Sequence, residues 1–344
     1  MQSTYNQYNG VISIDSLTHI VMGVGLLGLA YYSPEVANDF ETTKAVAMVT
    51  ILGSTWPDMD IIYRFFSDAA YIRNHRGWSH ALPILLLWAM LLTGFTKLFF
   101  PSVSFGLLVL WGSIAGAVHV VTDLFNPYGT KAFWPFYNKW VAFNSINIFD
   151  PVLFCLHLVG FFCWWVLAWN PALIFTVVYL ILIGYFLLRL YDMHTKRNLL
   201  IKLYRVENDK LFLRYTVTPS MRLGTWGALI EENGTVVRGV LKRSGLTQLE
   251  KVPVVAASLV GCSQVSKAVA ALKSFSTYVY PVLLKIEQGS AVCWFDMRYY
   301  YPTAKKHPSL VAVAIFDKQE QLIASFVGWY RCKDLFDKAL QFLK

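Results

Sequence analysis

The sequence predicts a polytopic α-helical membrane domain of about six helices, followed by a small soluble α+β domain. Apolar residues make up 56% of the 344 residues and the mean hydropathy is +0.45, which is too apolar for an ordinary soluble enzyme. Residues 1–192 carry 8 Lys and Arg against 10 Asp and Glu, whereas residues 193–344 carry 22 against 11. Near residue 193 long apolar runs also give way to alternating patterns. We therefore expect two domains, 1–192 and 193–344.

Six apolar stretches are the predicted helices of the first domain. They cover residues 17–33, 45–62, 81–100, 104–124, 151–169 and 171–190. The last four, at about 18–21 residues each, are long enough to cross a hydrocarbon core of roughly 30 Å. The second contains Pro57, Asp58 and Asp60, so it is either a short or tilted span or a helix buried among others. The first eighteen residues are polar and lack Lys and Arg, so no cleavable signal peptide is expected.

Basic residues predict how these helices are oriented. The sixth stretch is followed by Lys196, Arg197, Lys202 and Arg205, which favours the cytoplasmic side for that end. Counting back through six spans puts loops 63–80 and 125–150 on the same side, and these loops hold five basic residues. The expected location is a bacterial inner (cytoplasmic) membrane, crossed several times, with a cytoplasmic C-terminus.

The second domain shows strand and turn signals. Runs 226–230 and 235–241 alternate with period two and are separated by Asn233-Gly234, which predicts a β-hairpin. Residues 263–274 and 332–343 are predicted to be amphipathic helices. The basic residues are dispersed, which favours contact with an anionic membrane surface over nucleic-acid binding. The five cysteines include no C-x-x-C pair, so neither a disulfide framework nor a thiolate metal site is expected.

Imidazoles and carboxylates collect at the predicted cytoplasmic ends of the helices, where ionisable groups are costly and usually functional. The predicted metal ligands are His19, Asp58, Asp60, His75, His80, His119 and Asp123. His119 and Asp123 are four residues apart, so a helix places both on one face. Such ligands suit zinc, with manganese or iron as alternatives. Their number exceeds one closed four-ligand site, so two or more ions are expected.

The segment "NHRGWSH" at 74–80 contains a cationic side chain next to two of these predicted ligands. Arg76 is predicted to bind an oxyanion through its planar guanidinium. Gly77 is expected to permit a tight turn, and Ser79 to cap the following helix. The predicted catalytic residues are Arg76, Asp60 and Asp150, with Asp58, Asp60 or Asp150 as the general base.

At these residues the sequence resembles a family of LexA-binding, inner-membrane-associated, metal-dependent hydrolases, in its Bacillus-type branch with a soluble C-terminal extension. The resemblance covers roughly 14–192 and depends on "DSLTH", "GSTWPDMD", "NHRGWSH", "HVVTDLFNPYGT" and "FDP". It implies a polytopic protein with a metal-binding face and hydrolase chemistry. A remoter likeness links the spacing of His119 and Asp123 to zinc-dependent phospholipase C and the P1-type nucleases. A second H-x-x-x-[DE] pair found in those enzymes is missing here.

Three functions follow as hypotheses. The first is a membrane-embedded metal-dependent hydrolase that acts on a phosphoester at the cytoplasmic leaflet, with a lipid-linked phosphoester as one candidate. The second is a membrane-tethered regulator with a structural metal and a tail that binds protein or DNA. The third, a metal or proton transporter, is least favoured, because the polar residues collect at one face of the membrane. The expected partners are the bilayer, a phosphoester or lipid substrate and a regulatory protein; nucleic acid is not favoured.

Overall fold

The computed structural model describes residues 2–207, 214–232, 234–254, 258–286, 289–300 and 308–343. They form two compact units. The first contains residues 1–60 and 76–192, and the second contains residues 61–75 and 193–344. The first unit ends at Asp192, and segment 61–75 belongs to the second unit. The division into domains 1–192 and 193–344 stays a prediction.

The first unit is helical. Its α-helices, with α4 of the second unit included for numbering, are α1 (Gln2–Ala30), α2 (Pro34–Asn38), α3 (Phe40–Gly53), α4 (Asp68–Asn74), α5 (Leu82–Lys97), α6 (Phe105–Phe125), α7 (Pro151–Trp165) and α8 (Pro171–Glu207). Two 3-10 helices accompany them, η1 (Trp56–Phe65) and η2 (Trp78–His80). Five of the six predicted apolar stretches each correspond to one of the longer α-helices, whereas the second, 45–62, is divided between α3 and η1.

Small residues allow three helices of the first unit to approach closely. A side chain on Gly23 in α1 would lie 2.7 Å from the Thr50 carbonyl oxygen of α3. A Cβ on Gly53, the last residue of α3, would lie 3.1 Å from the Ala115 Cβ of α6. Close backbone contact through glycine is typical of helices that pack within a membrane. It brings the end of α3 against the second half of α6.

The prediction of about six membrane spans is wrong in number. Among the described residues, two helices are long and apolar enough to cross a membrane, Phe105–Phe125 and Pro171–Tyr204. A third is obtained only if the bent pair 68–80 and 82–97 counts as one span. Helix α7 has 15 residues and α3 has 14, which corresponds to only about 21–23 Å. The apolar stretches do lie in helices, but turns end most of these helices before they reach the length of a full span.

The second unit contains two four-stranded antiparallel sheets. The first is ordered β1 (Arg214–Pro219), β2 (Trp226–Glu232), β3 (Thr235–Lys242), β4 (Gly245–Pro253), and the second β5 (Val279–Ile286), β6 (Gly289–Asp296), β7 (Ser309–Phe316), β8 (Leu322–Tyr330). The predicted hairpin is confirmed, because Glu232 pairs with Thr235 across a two-residue turn. Gly234 has φ +75°, as such a turn requires, and Asn233 lies outside the described residues.

Helices pack beside the sheets of the second unit. They are α9 (Ser258–Ser263), α10 (Lys267–Phe275) and α11 (Cys332–Leu343), with a 3-10 helix η3 (Met297–Tyr299). Helix α11 confirms the prediction for 332–343. The predicted helix 263–274 instead begins at Lys267, because the Ser266 hydroxyl accepts a hydrogen bond from the Val269 N–H and caps a new helix there. Helix α4 packs against α10 and β8.

Candidate metal centre

Three side chains of the first unit, those of His80, His119 and Asp123, direct one ligand atom each toward a common point, and Asp58 lies beside the two imidazoles. The Nε2 atoms of His80 and His119 are 3.2 Å apart. Asp123 Oδ2 lies 3.4 Å from the first nitrogen and 3.5 Å from the second. Asp58 Oδ1 lies 3.5 Å and 3.8 Å from the same two nitrogens. Atoms that bind one zinc ion tetrahedrally lie roughly 3.3–3.4 Å from one another, so these separations suit a single ion.

Helix α6 supplies two of these ligands from one face. His119 and Asp123 are both buried and lie one turn apart, as their spacing predicts. The His119 Nδ1–H donates to the Ser54 carbonyl oxygen at 2.6 Å. This carbonyl follows Gly53, whose close packing on α6 brings it within reach. The hydrogen bond leaves the Nε2 lone pair of His119 directed at the other ligands.

His80 is oriented by a short chain of hydrogen bonds. The Ser79 hydroxyl donates to Asp60 Oδ2 at 3.0 Å, and Ser79 Oγ is 3.0 Å from His80 Nδ1. Since the hydroxyl has one hydrogen and donates it to the carboxylate, His80 Nδ1–H is the donor to Ser79 Oγ. The Arg76 N–H donates to the same Asp60 oxygen at 2.9 Å. Asp60 therefore supports His80 through Ser79, and among the described residues it belongs to neither group of side chains that could hold a metal.

The two oxygens of Asp123 have different partners. Oδ1 accepts a hydrogen bond from the Asn126 side-chain amide at 3.1 Å and lies 3.3 Å from Arg76 Nη2. Oδ2 faces the two imidazoles. Asn126 is itself held by backbone N–H groups of Tyr128 and Gly129, both 2.9 Å from its Oδ1. The carboxylate is thus fixed with one oxygen available to a cation.

Two buried carboxylate oxygens at the site indicate that it can bind a cation. Asp58 Oδ1 and Asp123 Oδ2 are buried and accept no hydrogen bond from any side chain or backbone group that the structure describes. Buried carboxylate oxygens without donors are costly unless a cation neutralises them. Burial acts to raise the pKa of Asp58, but His119 and His80 outweigh it and hold that pKa below its usual range. Asp58 is therefore ionised at neutral pH, the form that binds metal.

His19 of α1 joins the cluster at its side. Its ring stacks on that of His119 with centroids 3.7 Å apart, and its Nε2 lies 3.8 Å from Asp123 Oδ1. His19, Asp58 and His119 form a second group that could hold an ion. Because the Nδ1 of His119 is bonded to Ser54, both groups would use the same His119 nitrogen. One imidazole nitrogen binds one ion at a time, so the two groups describe overlapping positions.

Two predicted site residues have other surroundings. His75 belongs to the second unit, where its ring lies 4.7 Å from that of Tyr71 and 6.3 Å from that of Phe275. Asp150 caps α7, its Oδ1 accepting from the N–H groups of Val152 and Leu153, and its Oδ2 accepts from the Tyr185 hydroxyl. Among the described residues, neither side chain is in a group that could hold a metal.

The turn before η2 also differs from its prediction. The left-handed residue is Arg76, with φ +58°, whereas Gly77 has φ −85°. Such a backbone is strained for a non-glycine residue, and here it lets Arg76 N–H reach Asp60 while its side chain is buried against Asp123. Ser79 does not cap α5, whose N-cap residue is Ala81. Asp15, the first residue of the "DSLTH" motif and the residue that opens the first predicted span, has a side chain outside the described part of the chain.

Sequence reasoning missed the residues that support the ligands. Ser54 acts through its carbonyl group, which carries no sequence signal. Asn126 could have been found, because it lies three residues after Asp123 at the end of a predicted helix and is followed by proline.

Comparison with known proteins covers nearly the whole chain. Residues 14–195 match a family model described as YdjM inner membrane protein, and residues 258–339 match one described as the YfhP C-terminal alpha/beta plait domain. The chain is also similar to the "Uncharacterized protein YfhP" of Bacillus subtilis (strain 168), with 32% identity over 332 residues, covering 95% of this chain and 99% of that protein. No solved structure matches the chain. The first unit contains the YdjM match up to Asp192 apart from residues 61–75, and the buried ligands lie within it.

Proposed function

Since the chain belongs to the YdjM inner membrane protein family, we propose that it is a membrane-embedded, metal-dependent hydrolase acting on a phosphoester at the cytoplasmic leaflet. The observation that carries the proposal is the convergence of His80, His119 and Asp123 on one point, with Asp58 beside it. The expected metal is zinc, with manganese or iron as alternatives, because two imidazoles and a carboxylate suit these ions.

The ligand geometry favours one ion, bound by His80, His119 and Asp123. A divalent ion held there would supply Lewis-acid chemistry to a phosphoryl oxygen and to an attacking water. Two imidazoles and one carboxylate leave a fourth position open, as catalytic zinc sites do.

Asp58 is the best placed general base. Its side chain is 18% exposed, whereas those of His80 and Asp123 are 0% and 3% exposed, so it is the member of the four that solvent reaches. Asp60 and Asp150, the other two predicted bases, are engaged with Ser79 and with the cap of α7. Arg76 lies against Asp123 and would place positive charge next to the reacting phosphoryl group.

The depth of the site favours a substrate at the membrane surface. Asp123 is in the last turn of α6, a 21-residue helix that is long enough to span the bilayer. The end of a span lies where the hydrocarbon meets the headgroups. A phosphoester in a lipid headgroup or on a lipid-linked molecule would meet the ligands there without leaving the membrane.

A second function is favoured by one observation. Asp58 Oδ1 lies 3.5 and 3.8 Å from the two imidazole nitrogens, and if Asp58 is a fourth ligand the ion has four protein ligands, as structural zinc does. The protein would then be a membrane-tethered regulator whose basic C-terminal domain binds a partner protein or DNA.

Replacement of Asp58 separates the two functions. If the protein is a hydrolase, the Asp58→Asn variant should keep the metal, and its turnover of a panel of phosphodiesters should fall by at least about 10²-fold, the order expected for loss of a general base. In the regulator, the same variant binds metal more weakly and the wild-type protein turns over no member of the panel. Metal content would be measured by elemental analysis of detergent-purified protein, with Asp68→Asn of α4 as the control.

A further inference from the structure

The connection between α6 and α7 carries an unusual set of exposed aromatic side chains. We call residues 131–143 the aromatic loop. Phe136 is 87% exposed, and three more aromatic residues of the loop are exposed as well, namely Phe133, Tyr137 and Phe143. Exposed phenylalanines of this kind are unfavourable in water, because the transfer of each ring out of water is worth roughly 1.5–3 kcal/mol. Their concentration on one non-helical segment indicates a surface that is covered by something apolar.

The aromatic loop has a defined conformation. Thr130 and Val141 exchange both backbone hydrogen bonds, at 3.1 and 3.0 Å, and so close the loop at its base. The Lys131 N–H donates to the Arg76 carbonyl oxygen at 3.1 Å, and Ala132 accepts from the Leu82 N–H at 2.8 Å. The loop is therefore fixed to the segment that carries His80.

The position of the loop points to the membrane as the occupant. The loop follows α6, whose last residue Phe125 marks one end of a candidate span, so the chain enters the loop at the depth of the headgroups. Aromatic side chains are enriched at that depth.

The charge of the connection is complementary to an anionic leaflet. Residues 126–149 contain Lys131 and Lys139 and no acidic residue. Their ammonium groups lie 5.8 Å from the Trp140 ring and 6.0 Å from the Tyr137 ring. Lysines beside aromatic rings can keep their charge in the headgroup layer while their stems remain apolar.

We propose that the aromatic loop is a membrane-contact surface that enters the headgroup layer of an anionic leaflet and holds the metal centre at that depth. The proposal requires the chain to be embedded in a membrane, and it does not depend on the hydrolase activity. If the hydrolase is also correct, the loop would keep lipid phosphates next to the metal centre, so its substrates are membrane-resident phosphoesters.

The test uses the full-length protein in nanodiscs made of equal parts phosphatidylglycerol and phosphatidylcholine. A photoreactive p-benzoylphenylalanine is placed at position 136 and, as control, at position 265 in the second unit, where Val265 is 79% exposed. After irradiation, mass spectrometry of the protein is expected to show lipid adducts at position 136 at several times the yield found at position 265. Equal yields at the two positions, or a position 136 that links mainly to another protein chain, would overturn the proposal.

The lysines are tested in the same measurement. The adducts at position 136 should be enriched in phosphatidylglycerol about two-fold or more over the lipid mixture. The double variant Lys131→Gln, Lys139→Gln should return that ratio to the bulk composition, whereas Lys285→Gln, Lys318→Gln in exposed positions of the second unit should not. An unchanged ratio in the first double variant would show that these lysines do not select anionic lipid. The yield of lipid adducts is measured independently of turnover. A result that contradicts the loop proposal can therefore be distinguished from one that contradicts the proposed hydrolase activity.

Discussion

The Nε2 atoms of His80 and His119 lie 3.2 Å apart although the residues are 39 positions apart in the chain. The Nδ1 of each ring donates a hydrogen bond, His119 to the Ser54 carbonyl oxygen and His80 to the Ser79 hydroxyl. With both Nδ1 atoms donating, a metal ion bound by the two Nε2 atoms, or a proton held on one of them, accounts for their close approach. The two buried carboxylates beside them make a metal ion the best fit.

Removal of either imidazole should abolish tight metal binding. We expect wild-type protein to contain about one equivalent of zinc or a similar ion, because His80, His119 and Asp123 form one group that could hold a metal. His80→Ala and His119→Ala should each lower that content to near background in elemental analysis. His157→Ala is the control, since His157 is equally buried but bonds to the Leu153 carbonyl oxygen of its own helix. A value near two equivalents would mean that His19 belongs to a second ion.

Asn126 should matter for affinity without being a ligand. The Asn126 side-chain amide donates a hydrogen bond to Asp123 Oδ1. Loss of such a supporting hydrogen bond typically weakens metal binding roughly 10–100-fold, and we expect a loss of that size when Asn126 is replaced by alanine. The measurement is a competition titration of Asn126→Ala against a chelator of known affinity. Asn170→Ala removes a comparable cap at the start of α8 without touching the ligands, and it should bind metal normally. Equal affinity in both variants would exclude the supporting role.

His75→Ala should keep the metal. The sequence predicts His75 as a ligand, but its ring lies beside Tyr71 and Phe275 in the second unit. Elemental analysis of His75→Ala is expected to match wild type, with any effect confined to thermal stability. A loss of metal as large as that of His80→Ala would restore His75 to the ligand set.

Arg76→Lys should preserve the metal and lower turnover. Lysine retains the charge beside Asp123 but lacks the planar fork that matches a phosphoryl group. Loss of one well-placed donor costs on the order of 10²–10³ in rate, so a steady-state assay on a phosphodiester substrate should show a drop of that size. Arg73→Lys, at an exposed position of α4, serves as the control. Turnover within a few-fold of wild type would remove Arg76 from the catalytic residues.

Topology reporters should place the basic loops on one side of the membrane. Tags at residues 70 and 138 are expected to report the cytoplasm, because the basic residues of the first domain's loops lie in those segments. Accessibility of introduced cysteines to an impermeant reagent in intact cells provides the measurement. Tags at 70 and 138 on opposite sides would contradict the cytoplasmic location of the site.

The sequence alone determined the features that depend on local periodicity and chemistry. Alternation and the Asn-Gly turn predicted the β2–β3 hairpin, and a four-residue spacing placed His119 and Asp123 on one face of α6. These follow from the 3.6-residue and two-residue repeats of the backbone and need no tertiary contact.

Only the tertiary structure decided which polar residues meet. His75 and His80 are equivalent as sequence signals, yet His75 lies in the second unit and His80 in the first, with the left-handed residue Arg76 between them. Asp60, a predicted ligand, accepts hydrogen bonds from the Arg76 N–H and the Ser79 hydroxyl and so supports His80. Helix length was likewise set by turns that composition does not reveal. Each of these outcomes depends on contacts between residues far apart in the chain, which no local pattern contains.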